Sequence, residues 1–507
     1  IRMNETYIEK MRKDHLWFFR MSLLFGVLFV FCIYRNMSGI TFPVLTAVLI
    51  GFSTVILIRM GITLRKDTIL YGSGILLLGI STCLTSSGFL HFFNYVGILL
   101  LFSAAVLHQV QDDREWGFLQ YMRKMFSLAG MWIISFAEPF RKQENKENVD
   151  KKVGMLKNKK AKSVGVGILI AVLFLCIVIP LLMTSDRIFS KFFTEIFSIF
   201  NFINIFEKFD LGNLIGILST FLIGMFGIYA FFAAVFRMNQ ENQKTEGIKK
   251  ADSVTGITFT GILAAVYVFY SMIQIFYLFL RMDMGLPDGM TYSQYAHEGF
   301  WQLLFVSLIN FGAVVICLQV FEENKILRIL LCVVSLCTCV MIISAAYRMM
   351  LYVGEYDLTF LRVLVLWFLA VLMIIFWGVI YNIFQRKFRL FKCIMAVLSV
   401  MYIGFSLIRP DRFIAEYNIS NMESVSYDDV MYLLYGLSED AAPELEGIDM
   451  DELLEIGAFD EVNYYFNEIQ AKYREMDLRS WNFSCSSGAD TAAEWKENAV
   501  IKGIAVE

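Results

Sequence analysis

Proline is scarce in this 507-residue chain, at only 6, and its 33 glycines follow no tandem period, which excludes collagen-like, low-complexity and solenoid organisations. Charge is also thin: Asp, Glu, Lys and Arg make up 18%, where a soluble chain would hold about a quarter. With 57% hydrophobic residues and a mean hydropathy of +0.59, that shortage excludes a soluble globular enzyme. Gly-rich phosphate loops, Ser/His/Asp sets and HExxH zinc motifs are all missing. Cysteine occurs nine times, but Cys32, Cys83, Cys176, Cys317, Cys332, Cys337, Cys339 and Cys393 lie in or beside apolar runs. Only Cys485 falls in the acidic tail, and one thiol builds no disulfide framework. Neither a metal nor a cofactor is expected.

What the chain does hold is a charge split. A net charge of −3 conceals 22 acidic against 7 basic residues from Arg409 to Glu507, and 37 basic against 25 acidic before them. The basic residues are scattered through short connections between apolar runs, with no aromatic-bearing basic patch, so nucleic acid is not an expected partner.

About 20 apolar residues cross a bilayer as a helix. Eleven runs qualify: 16–34, 39–58, 68–85, 89–107, 163–184, 211–236, 254–280, 299–320, 329–347, 358–381 and 391–408. Backbone groups in lipid have no water to bond, so each run must be a helix. With the N-terminus inside, the inner connections carry 29 Lys and Arg, counting Lys392 at the start of the last run, and the outer ones carry six: Arg35, Arg187, Lys191, Lys208, Arg281 and Arg348. That asymmetry sets the orientation and leaves the acidic tail outside. No small-x-small pattern follows the first run, which reads as an uncleaved helix.

The expected architecture is therefore all-α: a polytopic helical membrane protein of about 11 transmembrane helices, N-terminus in and C-terminus out, with a small helical extracytoplasmic C-terminal domain. Residues 1–140 form an N-terminal membrane region of four spanning helices plus an inner interfacial segment at 115–140, whose Arg123 and Lys124 oppose crossing. Residues 141–162 are a basic cytoplasmic loop with nine Lys and Arg against three acids. Residues 163–408 hold seven spans and an interfacial amphipathic helix at 186–209. Residues 409–507 form an acidic domain with helices expected in Val425–Leu437, Met450–Ile456 and Val462–Met476, and a frayed last 20 residues.

Charged groups at membrane depth are functional candidates by default. One cluster spans Ser344–Arg362, where Arg348, Tyr352, Glu355, Asp357 and Arg362 surround Gly354. A turn at Gly354 would fold Glu355 or Asp357 back toward Arg348. A second cluster comprises Tyr292, Tyr295, His297 and Glu298, and a third comprises Asp411, Arg412 and Asn418, where the last helix leaves the membrane. All three fall on the outer side of the derived topology.

The stretches TYSQYAHEGFWQLL (291–304), SAAYRMMLYVGEYDLTFLR (344–362), PDRFIAEYNI (410–419), YDDVMYLLYGLSEDAAPEL (427–445) and DLRSWN (477–482) resemble the domain-of-unknown-function 4173 family of bacterial multi-pass membrane proteins. The chain departs from that pattern at His297, in place of an arginine, and at Asp357, in place of a glycine. The resemblance implies a bacterial cell membrane and a shared outer feature, and no reaction.

The functional reading is a non-catalytic sensor or assembly and docking factor of the cell envelope. Its partners are the lipid bilayer and an envelope protein or an anionic lipid-linked ligand. A secondary transporter would need a continuous polar pathway to the inner face. An envelope enzyme acting on a lipid-linked anionic substrate would need paired carboxylates at an outer cavity.

Overall fold

The computed structural model describes residues 6–113, 116–140, 211–241, 251–276, 292–385, 387–422 and 424–504, with backbone only at 211–212, 240–241, 292–299 and 355. The run at 163–184, the amphipathic segment at 186–209 and the basic loop lie outside these residues. The described chain is helical, and its one β-bridge joins Ala251 to Phe321.

The membrane part comprises α1 (Tyr7–Lys13), α2 (His15–Ile33), α3 (Thr41–Arg59), α4 (Thr68–Leu84), α5 (Gly88–Val110), α6 (Phe118–Ser135), α7 (Leu211–Glu241), α8 (Ser253–Gln274), α9 (Tyr292–Val320), α10 (Lys325–Tyr356), α11 (Phe360–Phe384) and α12 (Leu390–Ile408). Nine of the described helices are long and apolar enough to cross a membrane: α2, α3, α5 and α7 to α12. Helix α4 is shorter, at 17 residues, or about 25 Å at the helical rise. Apolar side chains on the outward faces, such as Ile69, Leu70, Ile262, Phe269 and Val400, are exposed, as lipid-facing residues must be. Inward, small residues let backbones approach: a Cβ on Gly26 of α2 would sit 2.9 Å from Met225 of α7. Helix α6 carries Arg123 on its open side and buries Leu128 and Tyr121. Its Trp132 donates Nε1–H to the carbonyl of Gly227, 2.8 Å away, which ties it to α7.

Beyond Ile408 follow α13 (Pro410–Asn421), α14 (Tyr427–Met431), a 3-10 helix (Glu439–Gly447), α15 (Met450–Glu455), α16 (Phe459–Arg474) and α17 (Phe483–Ile501). They close around Leu433, Leu453, Phe466 and Trp495, each fully buried. In α16 the buried set Val462, Tyr465, Phe466 and Ile469 follows the expected helical spacing. Most of the stretch expected to fray is helical, since α17 continues to Ile501. Gly488, Ala492, Trp495 and Ala499 recur at helical spacing on the buried side of α17; Gly488 lets the helix approach Ile469 and Ala442, and Trp495 packs on Phe466, so a segment of low hydropathy still packs.

Hydrogen bonds show which connections share a face. The α2–α3 and α4–α5 connections touch the C-terminal cap, where Asn482 donates to the carbonyls of Ser38 (3.0 Å) and Thr85 (2.9 Å). The α10–α11 connection touches it too, through Asn418 and Leu358. At the other end the α3–α4 and α5–α6 connections meet the start of α12. This pairing of connections matches the alternation inferred from the lysine and arginine pattern.

Candidate functional site on two polar faces

On the cap face, α10 runs through Gly354 without a break and stops at Asp357, correcting the expected turn by three residues. Asp357 takes φ 61° and ψ 179°, a conformation that an L side chain strains to adopt. Its carbonyl and that of Tyr356 accept from Arg362 Nη1, and the Arg362 guanidinium lies 4.3 Å from the Tyr352 ring. One residue on, Leu358 forms a two-way pair with Asn418: its N–H donates to Oδ1 (3.1 Å), and its carbonyl accepts from Nδ2 (3.0 Å). The Tyr432 hydroxyl accepts the N–H of Phe360 at 3.1 Å and feels the charges of both Asp411 and Arg362. So Tyr352, Asp357, Arg362, Asp411 and Asn418 gather around one clamp between the cap and the α10–α11 connection.

Arg348 and Arg412 have described partners away from this clamp. Arg348, 8% exposed, turns to α8, where Gln274 Oε1 accepts from Arg348 Nη2 at 3.5 Å and from the Ser344 hydroxyl at 2.7 Å. Arg412 pairs with Glu444 at 2.7 Å inside the cap. Tyr292, Tyr295, His297 and Glu298 open helix α9, and their side chains, like that of Glu355, lie outside the described atoms. Just after them, Phe300 and Trp301 join Tyr352 and Arg362 around a cavity of about 180 Å³.

The cap's own acids are engaged in structure. Asp440 accepts from the Thr85 hydroxyl and from Ser86 N–H at 3.1 Å. Asp411 accepts the N–H of Ser438 at 3.1 Å. Burial pushes the Asp411 carboxyl above its usual range, the bonds from Ser438 oppose this, and the nearby charge of Asp440 adds to it. Glu439 binds Lys472 and sits 2.7 Å from Cys485 Sγ. Burial first, and the Glu439 carboxylate second, push that thiol up to about 12. Asp449 and Asp451 each bond Lys502 at 2.9 Å.

The opposite face holds a cluster that sequence reasoning missed. Asp113, fully buried just past the end of α5, lies 2.8 Å from His108 Nδ1, 2.8 Å from Lys392 Nζ on α12 and 3.4 Å from Arg65 Nη1 in the α3–α4 connection. It also accepts from the Tyr121 hydroxyl on α6. Burial would raise this carboxyl, but the bonds and charges of His108 and Lys392 outweigh it and hold the group below its usual range. A second buried acid, Glu138, joins Arg12 (2.5 Å) near the N-terminus to Arg237 at the end of α7. The available signal was an acid just after an apolar run on a face crowded with basic residues.

Between the faces, polar side chains tie helix to helix. Asn94 of α5 bonds Thr82 (3.1 Å), Tyr402 (2.9 Å) and Ser406 (3.1 Å), and Asn310 of α9 bonds Tyr267 (2.7 Å) and Thr338 (2.9 Å). Each pairs groups that lipid would leave unsatisfied.

Neither the curated proteins nor the solved structures include a match to this chain. The family found is not the 4173 family that the five motifs resemble, although both are domains of unknown function. A model described as "Domain of unknown function (DUF4153)" matches residues 72–448, more than half of the sequence, from within α4 through the clamp to the 3-10 helix of the cap, and the chain belongs to that family.

Proposed function

We propose that this membrane protein sits in a bacterial cell membrane with the Asp113 face toward the cytoplasm and the acidic cap outside, and that it works there as a non-catalytic docking or sensing component of the envelope. The observation that carries this reading is the use made of the cap's polar groups. Asn418, Asp411, Asp440 and Asn482 all bond the membrane helices' connections or the cap's own backbone, so they position the cap and do not converge on a substrate. The remaining carboxylates, among them Glu452, Glu455, Glu468 and Glu475, stand exposed on a surface held rigidly above the bundle. A preorganised acidic surface suits recognition of a basic partner and speeds encounter with it. The lysine and arginine asymmetry supports the orientation.

Two measurements test the proposal. Native Cys485 is buried against Glu439 and is a poor reporter, so Glu468→Cys supplies an exposed thiol. A membrane-impermeant maleimide should label it in intact cells; labelling only after permeabilisation overturns the orientation. Replacing Glu452, Glu455, Glu468 and Glu475 together by Gln should leave folding and insertion unchanged and abolish rescue of a deletion strain. Full rescue by that variant would sink the docking role.

A further inference from the structure

On the Asp113 face, the start of α6, the end of α9 and the α11–α12 connection enclose a cavity of about 470 Å³. One part of its wall is polar: Lys387, Arg389, Gln319 and Asn382. The rest is apolar, built from Trp116, Phe118, Leu318, Phe388 and Leu390. Among the described residues neither Lys387 nor Arg389 has a carboxylate partner, and both are exposed. Their neighbour Lys392 differs, being neutralised by Asp113 at 2.8 Å. The cations differ in use: Lys392, in the first turn of α12, locks the fold, while Lys387 and Arg389 of the connection before it remain for an occupant.

The groups around them favour an anion. Gln319 gives its Oε1 to the N–H of Leu119 at 3.1 Å, which leaves its amide N–H₂ as a donor. That bond also anchors the first turn of α6, an 18-residue helix whose positive end opens beside Gly117 on the cavity wall. The wall is held in place from behind, because Phe391 stacks on Tyr121 with ring centroids 4.2 Å apart, and Tyr121 is bonded to Asp113. A cavity with two unpaired cations and amide donors on one side and aromatic and aliphatic walls on the other is complementary to an amphiphile with an anionic head.

We propose that this cavity binds the phosphoryl headgroup of an anionic membrane phospholipid, with Lys387 and Arg389 on the phosphate and the apolar wall against the first carbons of the acyl chains. The site requires only that the chain lies in a membrane, and it stands whichever way the protein is oriented.

The test uses the full chain reconstituted in nanodiscs of phosphatidylcholine alone or in an equal mixture with phosphatidylglycerol, with retained lipid read by native mass spectrometry. The wild type should keep phosphatidylglycerol in preference to phosphatidylcholine. Lys387→Gln/Arg389→Gln should lower that retention by about 30-fold, as expected for two surface cations at a lipid headgroup. Lys66→Gln/Arg123→Gln removes the same charge from exposed positions on that face and should change it little. Asn382→Phe fills the cavity without altering charge and should also expel the lipid. Equal losses from both charge pairs, or no loss from either cavity variant, would refute the site. Retention of inorganic phosphate in detergent, with no preference for anionic lipid, would assign the cavity to a soluble anion and overturn the lipid proposal.

Discussion

Asp113 and Asp411 are both buried, at opposite ends of the helical bundle, but their surroundings differ. Asp113 collects Arg65, His108 and Lys392 from three segments of the chain, whereas Asp411 bonds the backbone N–H of Ser438 and faces another acid, Asp440. Burial alone would raise both carboxyls. At Asp113 the cations more than reverse the effect, and at Asp411 the hydrogen bonds only moderate it. On the basic face an acid therefore assembles elements that would otherwise repel, while on the acidic cap an acid serves as a hydrogen-bond acceptor whose charge is a burden.

The largest consequence concerns Asp113→Ala. Removing the buried carboxylate leaves Lys392 and Arg65 without it, the other acid of the cluster being the exposed Asp67, 3.9 Å from His108, with an expected loss of ~3–5 kcal/mol. Thermal unfolding followed in detergent should show it, together with a fall in monodisperse protein. Asp113→Asn keeps the shape and loses the charge, and it should suffer most of the same loss. If Asn were tolerated, the shape of the cluster and not its electrostatics would hold this face together.

A smaller loss is expected from Asn418→Ala. Both polar atoms of the Leu358 backbone lose their partner at a buried position, which costs about 1–3 kcal/mol. Hydrogen exchange should rise at residues 357–360 and across α13 while the Asp113 face stays protected. Exchange rising equally on both faces would mean that cap and bundle unfold as one unit, and the contrast between the two faces would lose its meaning.

The third consequence is opposite behaviour with pH. Asp113 is held below the usual range, so its contribution to stability is present above the ordinary carboxylate value and is lost as pH falls toward its lower native value. Asp411 is raised, so the native state binds its proton more tightly than the unfolded chain does, and stability declines as pH rises from the ordinary value through the raised one. Asp411→Asn should accordingly change stability by less than about 1 kcal/mol at neutral pH and flatten that decline. Stability curves for wild type, Asp411→Asn and Asp113→Asn between acid and neutral pH would test the pair. A steeper curve in Asp411→Asn would reverse the assignment.

The two faces also differ in how far the sequence revealed them. Long runs such as 39–58 and 358–381 announce helices because lipid permits little else, and basic residues left in the connections pair the same loops that hydrogen bonds bring together. The polar residues of the cap face were also visible, since Asp357, Arg362, Asp411 and Asn418 stand out beside apolar runs. Their partners were not, because Leu358 and Ser438 contribute backbone atoms, and nothing in a side chain marks a backbone group as needed. Asp113 escaped because its cations come from positions 65, 108 and 392, separations that composition cannot bridge. Helix α17 escaped because small residues contribute little hydropathy even where they pack closely.

The one change expected to stabilise lies on the cap face, where Asp357 adopts φ 61° and ψ 179°. Few L residues hold this region, and they hold it only where surrounding contacts fix the backbone; here Arg362 fixes the Asp357 carbonyl and Asn418 fixes the next residue from both sides. Those contacts involve main-chain atoms of residues 357 and 358, which a glycine at 357 would keep, while the Asp357 side chain is exposed. Asp357→Gly should thus relieve the strain and lose only the entropy of a freer unfolded chain, for a net gain of about 1 kcal/mol and a rise of roughly 1–3 °C in the melting temperature. Asp357→Ala removes the carboxylate but keeps the Cβ, so it should leave the temperature nearly unchanged. If Ala and Gly raised it equally, the burden would be the negative charge beside an acidic cap, and the turn would belong with Asp411 as a case of excess charge and not of backbone strain.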